Sequence, residues 1–361
     1  MPGPVKATRT QKIALLIGTL AVGLALLEAA ARIRMHLKYG HTGGEFYTST
    51  RDAKSGLKVP DPNQTAGAIH INSLGFRGRD LLDPKPADVV RIAFLGGSTT
   101  FCTEASSDDA TWPALLCRRL GERFEGVRFE PVNAALPALR ADDSRRNLQH
   151  RVAPLDPDVV FVYHATNDIS RDTRNLADAA GIFTGDGGKP SWLAERSVAW
   201  DLIEKNVRVK ARQHASSGGD GRLEFDPESL AEGFRDVLTR LVNEAGAAAP
   251  LVVVPTFSTK FRPSQPDDVK LAACNTALFY MPYMTVDRLL ETFAAYNEIV
   301  RQVGRSTGAL LIEGEDEIPG DSDHFTDSVH FTDRGCEAMV ERLLPRLASD
   351  DRFLAIVASK R

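Results

Sequence analysis

The sequence predicts an α/β protein of three layers, with a five-stranded parallel sheet between helices and a membrane helix ahead of it. Three observations predict this. From residue 89 onward, short apolar runs alternate with stretches of helical spacing, which is the pattern of successive βαβ units. The first of them, "VVRIAFLG" (89–96), is a short apolar run of the kind expected of a parallel strand buried on both faces. Near the N-terminus, fifteen consecutive residues carry no charge, from Ile13 to Leu27.

The N-terminal run "IALLIGTLAVGLALL" is followed by Glu28, three alanines, Arg32 and Arg34. As a helix from Ile13 to Ala31 it would extend about 28 Å, close to the roughly 30 Å hydrocarbon core of a bilayer. Glu28 falls near one end, where a carboxylate can reach the interface. Lys6, Arg9 and Lys12 with the small residues Ala29–Ala31 also fit a cleaved signal peptide. A buried soluble helix is disfavoured, because every face of the run is apolar. The expectation is an uncleaved single-pass anchor over residues 1–35, with the globular part extracytoplasmic. Basic residues flank both ends, so the positive-inside rule decides little.

A lead-in over 36–88 is rich in Gly, Pro, Asp and Thr, and contains "HINSLGFRGRD". The main domain is expected over 89–350. "VVRIAFLG" (89–96) reads as the first strand and "TWPALLCRRLGERF" as a helix. "VRFEPVNAAL" (127–136) is the second strand, followed by a helix in "DDSRRNLQHRV". "PDVVFVYHA" (157–165) is the third. Residues 170–225, with "GDGGKP" and "SSGGDGR", break the rhythm and read as an insertion around one helix, "LAERSVAWDLIEKNVRV". "PESLAEGFRDVLTRLVNEAGA" is a strong helix leading to the fourth strand, "PLVVVPTFS" (250–258). "TVDRLLETFAAYNEIVRQVG" is a helix that Gly304 would cap. "GALLIEGED" (308–316) is the fifth strand, and an amphipathic helix through Met339, Leu343 and Leu347 closes the domain.

Composition narrows the function classes. A net charge of −4 and a pI near 6.1 argue against a nucleic-acid binder, which usually carries a basic stripe. Cys102, Cys117, Cys274 and Cys336 are widely spaced, with no C-x-x-C pair, so no metal or redox signature is present. One disulfide is possible outside the cytoplasm, with no pairing assignable from spacing.

In open parallel sheets, ligands bind beyond the carboxyl ends of the strands. After strand 1 stand Gly96, Gly97, Ser98, Thr99 and Thr100. No lysine or third glycine makes this a phosphate loop, leaving Ser98 as a helix cap or a nucleophile. After strand 3, Asn167 could donate to an oxyanion, or Asn167 and Asp168 could form a plain turn. After strand 5, "DSDHFTDSVHFTDRG" (321–335) holds two D-x-x-H pairs, Asp321/His324 and Asp327/His330. An acid three residues before a histidine can orient the ring and stabilise its imidazolium.

Gly-x-Ser after strand 1, Asn133 near the end of strand 2, Asn167-Asp168 after strand 3 and D-x-x-H before the last helix together resemble the four blocks of the SGNH (GDSL-type) hydrolase superfamily. The resemblance spans about 89–348, and "NSLGFRG" resembles the lead-in of its membrane-anchored members. It implies the flavodoxin-like SGNH hydrolase fold and needs no cofactor or metal. It makes Ser98 the nucleophile, and His330 and Asp327 the base and acid, since "HFTDRG" runs straight into the last helix. It assigns the oxyanion donors to the Ser98 N–H, the Ala135 N–H and the Asn167 side chain. The family's G-D-S reads Gly96-Gly97-Ser98 here, its block-two glycine appears as Ala135, and its block-three glycine as Ala165.

The implied chemistry is acyl-ester hydrolysis, with an envelope glycan or lipid as the expected partner. A sugar hydroxyl in place of water would make the same apparatus an O-acyltransferase. A non-catalytic, membrane-tethered binding or assembly protein is the reading from a different class. The stretch 259–285, with Phe261, Phe279, Tyr280 and Tyr283, is expected either to shape the cleft or to pack beneath a loop.

Overall fold

A computed structural model describes residues 8–39, 47–182, 191–204, 207 and 223–361. The chain forms two compact units, Met1–Phe46 with Gly187–Ala211 and Tyr47–Asp186 with Arg212–Arg361. The basic residue Lys6, part of the lead-in, and both glycine-rich ends of the expected insertion lie outside the described residues.

The first unit holds helix α1, Arg9–Tyr39. Its most apolar 18 residues have a mean hydropathy of 2.2, and the helix is long enough to cross a membrane. Leu15, Leu16, Leu20 and Leu26 are all exposed, so no protein core accounts for its apolar surface. Glu28 has specific partners. Its carboxylate accepts hydrogen bonds from the Ser197 hydroxyl at 2.7 Å and from the backbone N–H groups of Val198 at 3.1 Å and Ala199 at 3.0 Å. Those amides open a second helix, α6 (198–204), and free amides at a helix start favour a carboxylate. Arg32 holds the same side chain at 2.7 Å.

The second unit is built on five parallel strands. These are β5 (Val89–Gly96), β6 (Arg128–Asn133), β7 (Val159–Tyr163), β8 (Leu251–Pro255) and β9 (Leu310–Ile312). Their spatial order is β6-β5-β7-β8-β9, so the chain reverses its winding direction at β5. Helix α3 (Trp112–Arg123) packs with α10 (Asp333–Leu347). Helices α4 (Ala141–Asn147), α5 (Thr166–Ala179), α7 (Pro227–Ala248) and α9 (Val286–Thr307) form another packed group. This is the expected three-layer α/β/α architecture. All eight residues of β5 are buried. Its one charge, Arg91, is matched by Glu130 at 2.6 Å and by the carbonyls of Leu155 and Leu82.

Several local expectations differ from the structure. The lead-in contains two antiparallel hairpins of three-residue strands, β1 (Ser49–Arg51) with β2 (Lys58–Pro60), and β3 (Gln64–Ala66) with β4 (Ile69–Ile71). Strands this short carry too few side chains for a two-residue period to be seen. Gly304 does not cap its helix. Helix α9 runs through it to Gly308, whose φ of 72° provides the left-handed turn. Gly304 is small for a different reason, because a Cβ there would stand 3.1 Å from the Leu311 Cβ. The start of the expected insertion is instead the body of α5. Residues Asp267–Tyr280 form a further helix, α8, and Asp351–Ala358 a last one, α11.

Candidate active site

The site is assembled at the carboxyl edge of the sheet, around the single-turn helix α2 (Ser98–Phe101) that follows β5. Two glycines make the turn sterically possible. A Cβ on Gly96 would lie 2.7 Å from the Thr100 Cβ and 3.0 Å from the Tyr163 carbonyl oxygen. A Cβ on Gly97 would collide with the Asn167 amide nitrogen. The far end of α2 is held by Arg77 from "GFRG". Its buried guanidinium donates to the carbonyls of Phe101 and Cys102 and pairs with Asp108 at 2.7 Å. The lead-in motif thus braces the turn that presents Ser98. Cys102, which ends the turn, lies 3.9 Å from Cys336 of α10, sulfur to sulfur, both as buried thiols.

Ser98 Oγ lies 2.7 Å from His330 Nε2. On the other side of the ring, His330 Nδ1 lies 2.8 Å from Asp327 Oδ2. The remaining oxygen of Asp327 accepts from the backbone N–H groups of Val329 and His330, each at 2.9 Å. The carboxylate therefore cannot swing away from the ring. Burial alone would pull the His330 pKa down. The hydrogen bond and charge of Asp327, with Glu104 further away, overcome that and raise it above the ordinary imidazole value. Asp327 is opposed by burial too, yet the His330 contact and the two backbone donors hold its pKa below the usual carboxylate value. The loop is fixed to α8 through Ser328, whose hydroxyl donates to the Ala273 carbonyl and accepts from the Ala277 N–H.

Asn167 stands in the first turn of α5 beside Gly97, with its amide donating to the Leu139 carbonyl at 2.9 Å. Register explains the meeting, because β5 pairs with β7 so that Gly96 lies opposite Tyr163. The next residue, Asp168, is buried and accepts from the Ala141 N–H at 3.1 Å, tying α5 to the start of α4. Burial pushes its carboxyl up to about 8. Burial likewise pulls the neighbouring His164 down to about 3, so both are largely uncharged at neutral pH.

The structure does not bring Ala135 to this point. Ala135 is only 1% exposed, packed with Ile69, Ile71 and Phe101, and its N–H faces the Asn133 side chain at 3.4 Å. The cavity beside Ser98 is lined instead by Pro137 and Ala138. Ala138 has a φ of 63°, a left-handed conformation that turns the chain sharply and that few non-glycine residues adopt. Among the described residues its N–H has no hydrogen-bond acceptor. The available sequence signal was a small residue directly after Pro137, which the spacing from Asn133 did not single out. Ala165 has a φ of −169°, extended backbone that needs no glycine.

Asp321 and His324 form their own contact at 2.7 Å but lie outside the cavity that Ser98 and His330 line. The cavity measures about 610 Å³, within the usual range for ligand sites. Of the four aromatics in 259–285, Phe261 and Tyr283 are core residues, while Tyr280 lines the cavity. Among the described residues no cluster of three His, Cys, Asp or Glu side chains forms a metal-ligand set.

The model of the GDSL-like lipase/acylhydrolase family matches residues 94–338, about two-thirds of the chain and all the loops just described. The chain belongs to this family. This acylhydrolase is an ester-bond hydrolase with the fold expected of it. Among solved structures it is similar to an acetylxylan esterase from Geobacillus stearothermophilus, at 13% identity and a TM-score of 0.44 over 72% of this chain and 95% of that one. It is also similar to a lipase/acylhydrolase from Enterococcus faecalis, at 15% identity and 0.42 over 72% and 95%. A third likeness is to an α/β hydrolase from the metagenome of Lake Arreo, Spain, at 15% identity and 0.42 over 71% and 94%. No curated protein sequence matches the chain.

Proposed function

We propose that this acylhydrolase is a membrane-anchored serine esterase that removes O-acyl groups through Ser98, His330 and Asp327. The observation that carries this is the relay Ser98 Oγ, His330, Asp327, with contacts of 2.7 and 2.8 Å. Neutral His330 takes the Ser98 proton as Oγ attacks the ester carbonyl, and Asp327 stabilises the imidazolium that forms. The imidazolium then protonates the leaving alkoxide. Water, activated by the same ring, releases the acyl group and restores Ser98.

The oxyanion of each tetrahedral intermediate would be held by the Ser98 N–H, the Asn167 amide and the Ala138 N–H. Ala138 takes the place first expected for Ala135. Pre-aimed donors of this kind are typically the largest single contribution to acyl transfer. Helix α1 would serve as the anchor, with the catalytic unit extracytoplasmic and an envelope ester as substrate. The preformed relay speaks for turnover over a purely binding role.

The test is hydrolysis of p-nitrophenyl acetate by the full chain in detergent. The parent should turn over, His330→Ala should lose nearly all activity, and His324→Ala should keep most of it. An inactive parent, or a His324→Ala variant that fails where His330→Ala works, would overturn the assignment.

The pH profile is a second readout. His330 must be neutral to accept the proton, and its pKa is raised. The acid limb of kcat/KM should therefore fall at a pH above the ordinary imidazole value of about 6.5. Asp327→Asn removes the main raising influence, so the surviving activity should show that limb displaced to lower pH.

A further inference from the structure

The cavity that holds Ser98 and His330 has one cationic wall. Helix α5 contributes Asn167, Ser170, Arg171 and Arg174 to its lining. Their spacing of i, i+3, i+4 and i+7 places them on one helix face. At about 1.5 Å rise per residue, Arg171 stands about 6 Å and Arg174 about 10 Å along the axis from Asn167. Arg140 adds a third guanidinium from the loop after β6. Among the described residues the lining contains one acid, Asp143, and it is already engaged by Arg146 and by Arg140. Asp172, next to Arg171, accepts instead from the Tyr296 hydroxyl at 2.7 Å. Positive charge is therefore in excess along this wall.

Helix α8 lines the same cavity through Thr276, Ala277 and Tyr280, with Met281 just beyond the helix. Tyr280 is 54% exposed, an aromatic ring available on the open side of the cleft. An aromatic ring and guanidinium forks in one cavity, with the hydroxyls of Thr166 and Ser170 on α5 and of Thr276 on α8, suit a sugar ring that carries an anion. Guanidinium pairs bidentately with carboxylate, sulfate and phosphate alike, whereas a lipid chain would call for a continuous apolar lining.

We infer that the ester cleaved at Ser98 is borne by an acidic carbohydrate, whose anionic group is bound by Arg171 and Arg174, about one and two helical turns along α5 from Asn167. This rests on the esterase reading above and names its substrate class.

The experiment compares kcat/KM of the full chain in detergent on an O-acetylated oligouronate, an O-acetylated neutral xylo-oligosaccharide and an acetylated anionic phospholipid. p-Nitrophenyl acetate is run alongside as a control. The oligouronate should be preferred over the neutral glycan by about tenfold or more, mainly through KM. That preference should shrink as salt is raised towards 1 M, where charges are screened within about 3 Å. In Arg171→Gln/Arg174→Gln the ratio should approach one, and the double lysine variant should retain part of it. Equal rates on the two glycans, an unchanged ratio in the double variant, or a faster phospholipid would overturn the inference, provided p-nitrophenyl acetate is still hydrolysed. Loss of that hydrolysis in the parent would instead overturn the esterase reading, and the inference with it.

Discussion

Ser98→Ala is expected to lower kcat for ester hydrolysis by about 10⁴- to 10⁶-fold while leaving the fold intact. The size follows from the relay. In acylation His330 would accept the Ser98 proton across 2.7 Å and then pass it to the leaving alkoxide, and without Oγ there is no proton to relay and no bond to form with the acyl carbon. What remains is the contribution of the oxyanion donors to direct attack by water. The fold should survive, because Ser98 opens a four-residue turn whose next three residues are buried and whose end is held by Arg77. Single-turnover kinetics, read with circular dichroism and a thermal melt, check both parts. The double variant Ser98→Ala/His330→Ala should be hardly slower than either single one, since the two residues act as a unit. Additive losses would mean that the serine and histidine work separately.

Gly97→Ala is expected to cost about 10²- to 10³-fold in kcat, the usual effect of losing one oxyanion donor, although the residue carries no functional group. Its Cβ would collide with the Asn167 amide nitrogen. Either Asn167 moves, losing its bond to the Leu139 carbonyl, or the turn moves and carries Ser98 away from His330. Gly97→Asp, which restores the family's own residue at this position, should be at least as damaging for the same reason. The measurement is kcat against KM on p-nitrophenyl acetate, with the loss expected in kcat. A Gly97→Ala enzyme of near-parent rate would show that Asn167 is not aimed at the oxyanion. Asn167→Ala in the same series separates the two causes, because a Gly97→Ala change made on top of it should add little.

Much of this site could be read before any coordinates. Strands β7 and β8 stand out as unbroken apolar runs, and β5 as one interrupted only by Arg91, and the residue types after β5, β7 and β9 are those that acyl transfer needs. Asp327 and His330 lie three residues apart, so their contact is local and spacing alone suggests it. The Ser98–His330 contact spans 232 residues, and only the adjacency of strand ends in the sheet makes it. Choosing between His324 and His330 is likewise a three-dimensional question, because both have an acid at the same spacing.

Ala138 shows why local pattern fails at one point. The role proposed for it depends on a backbone with φ of 63°, and alanine is not the residue from which a left-handed conformation is inferred. Arg77 was equally hidden. In sequence it is one charge in a loop without periodicity, while in the fold it closes a helix end 24 residues further on. The arginine face of α5 escapes the sequence pattern, because residues 170–225 break the strand–helix rhythm and read as an insertion.

The amino-acid sequence by itself determined the layer architecture, the apolar N-terminal helix and the kinds of residue present at the strand ends, because those depend on hydrophobic periodicity and local chemistry. The tertiary structure alone decided how the Asp327/His330 pair reaches Ser98, that Ala138 rather than Ala135 stands beside it and which helix face lines the cleft with arginines. Those follow from strand order and helix rotation, which bring together groups that no short-range rule relates.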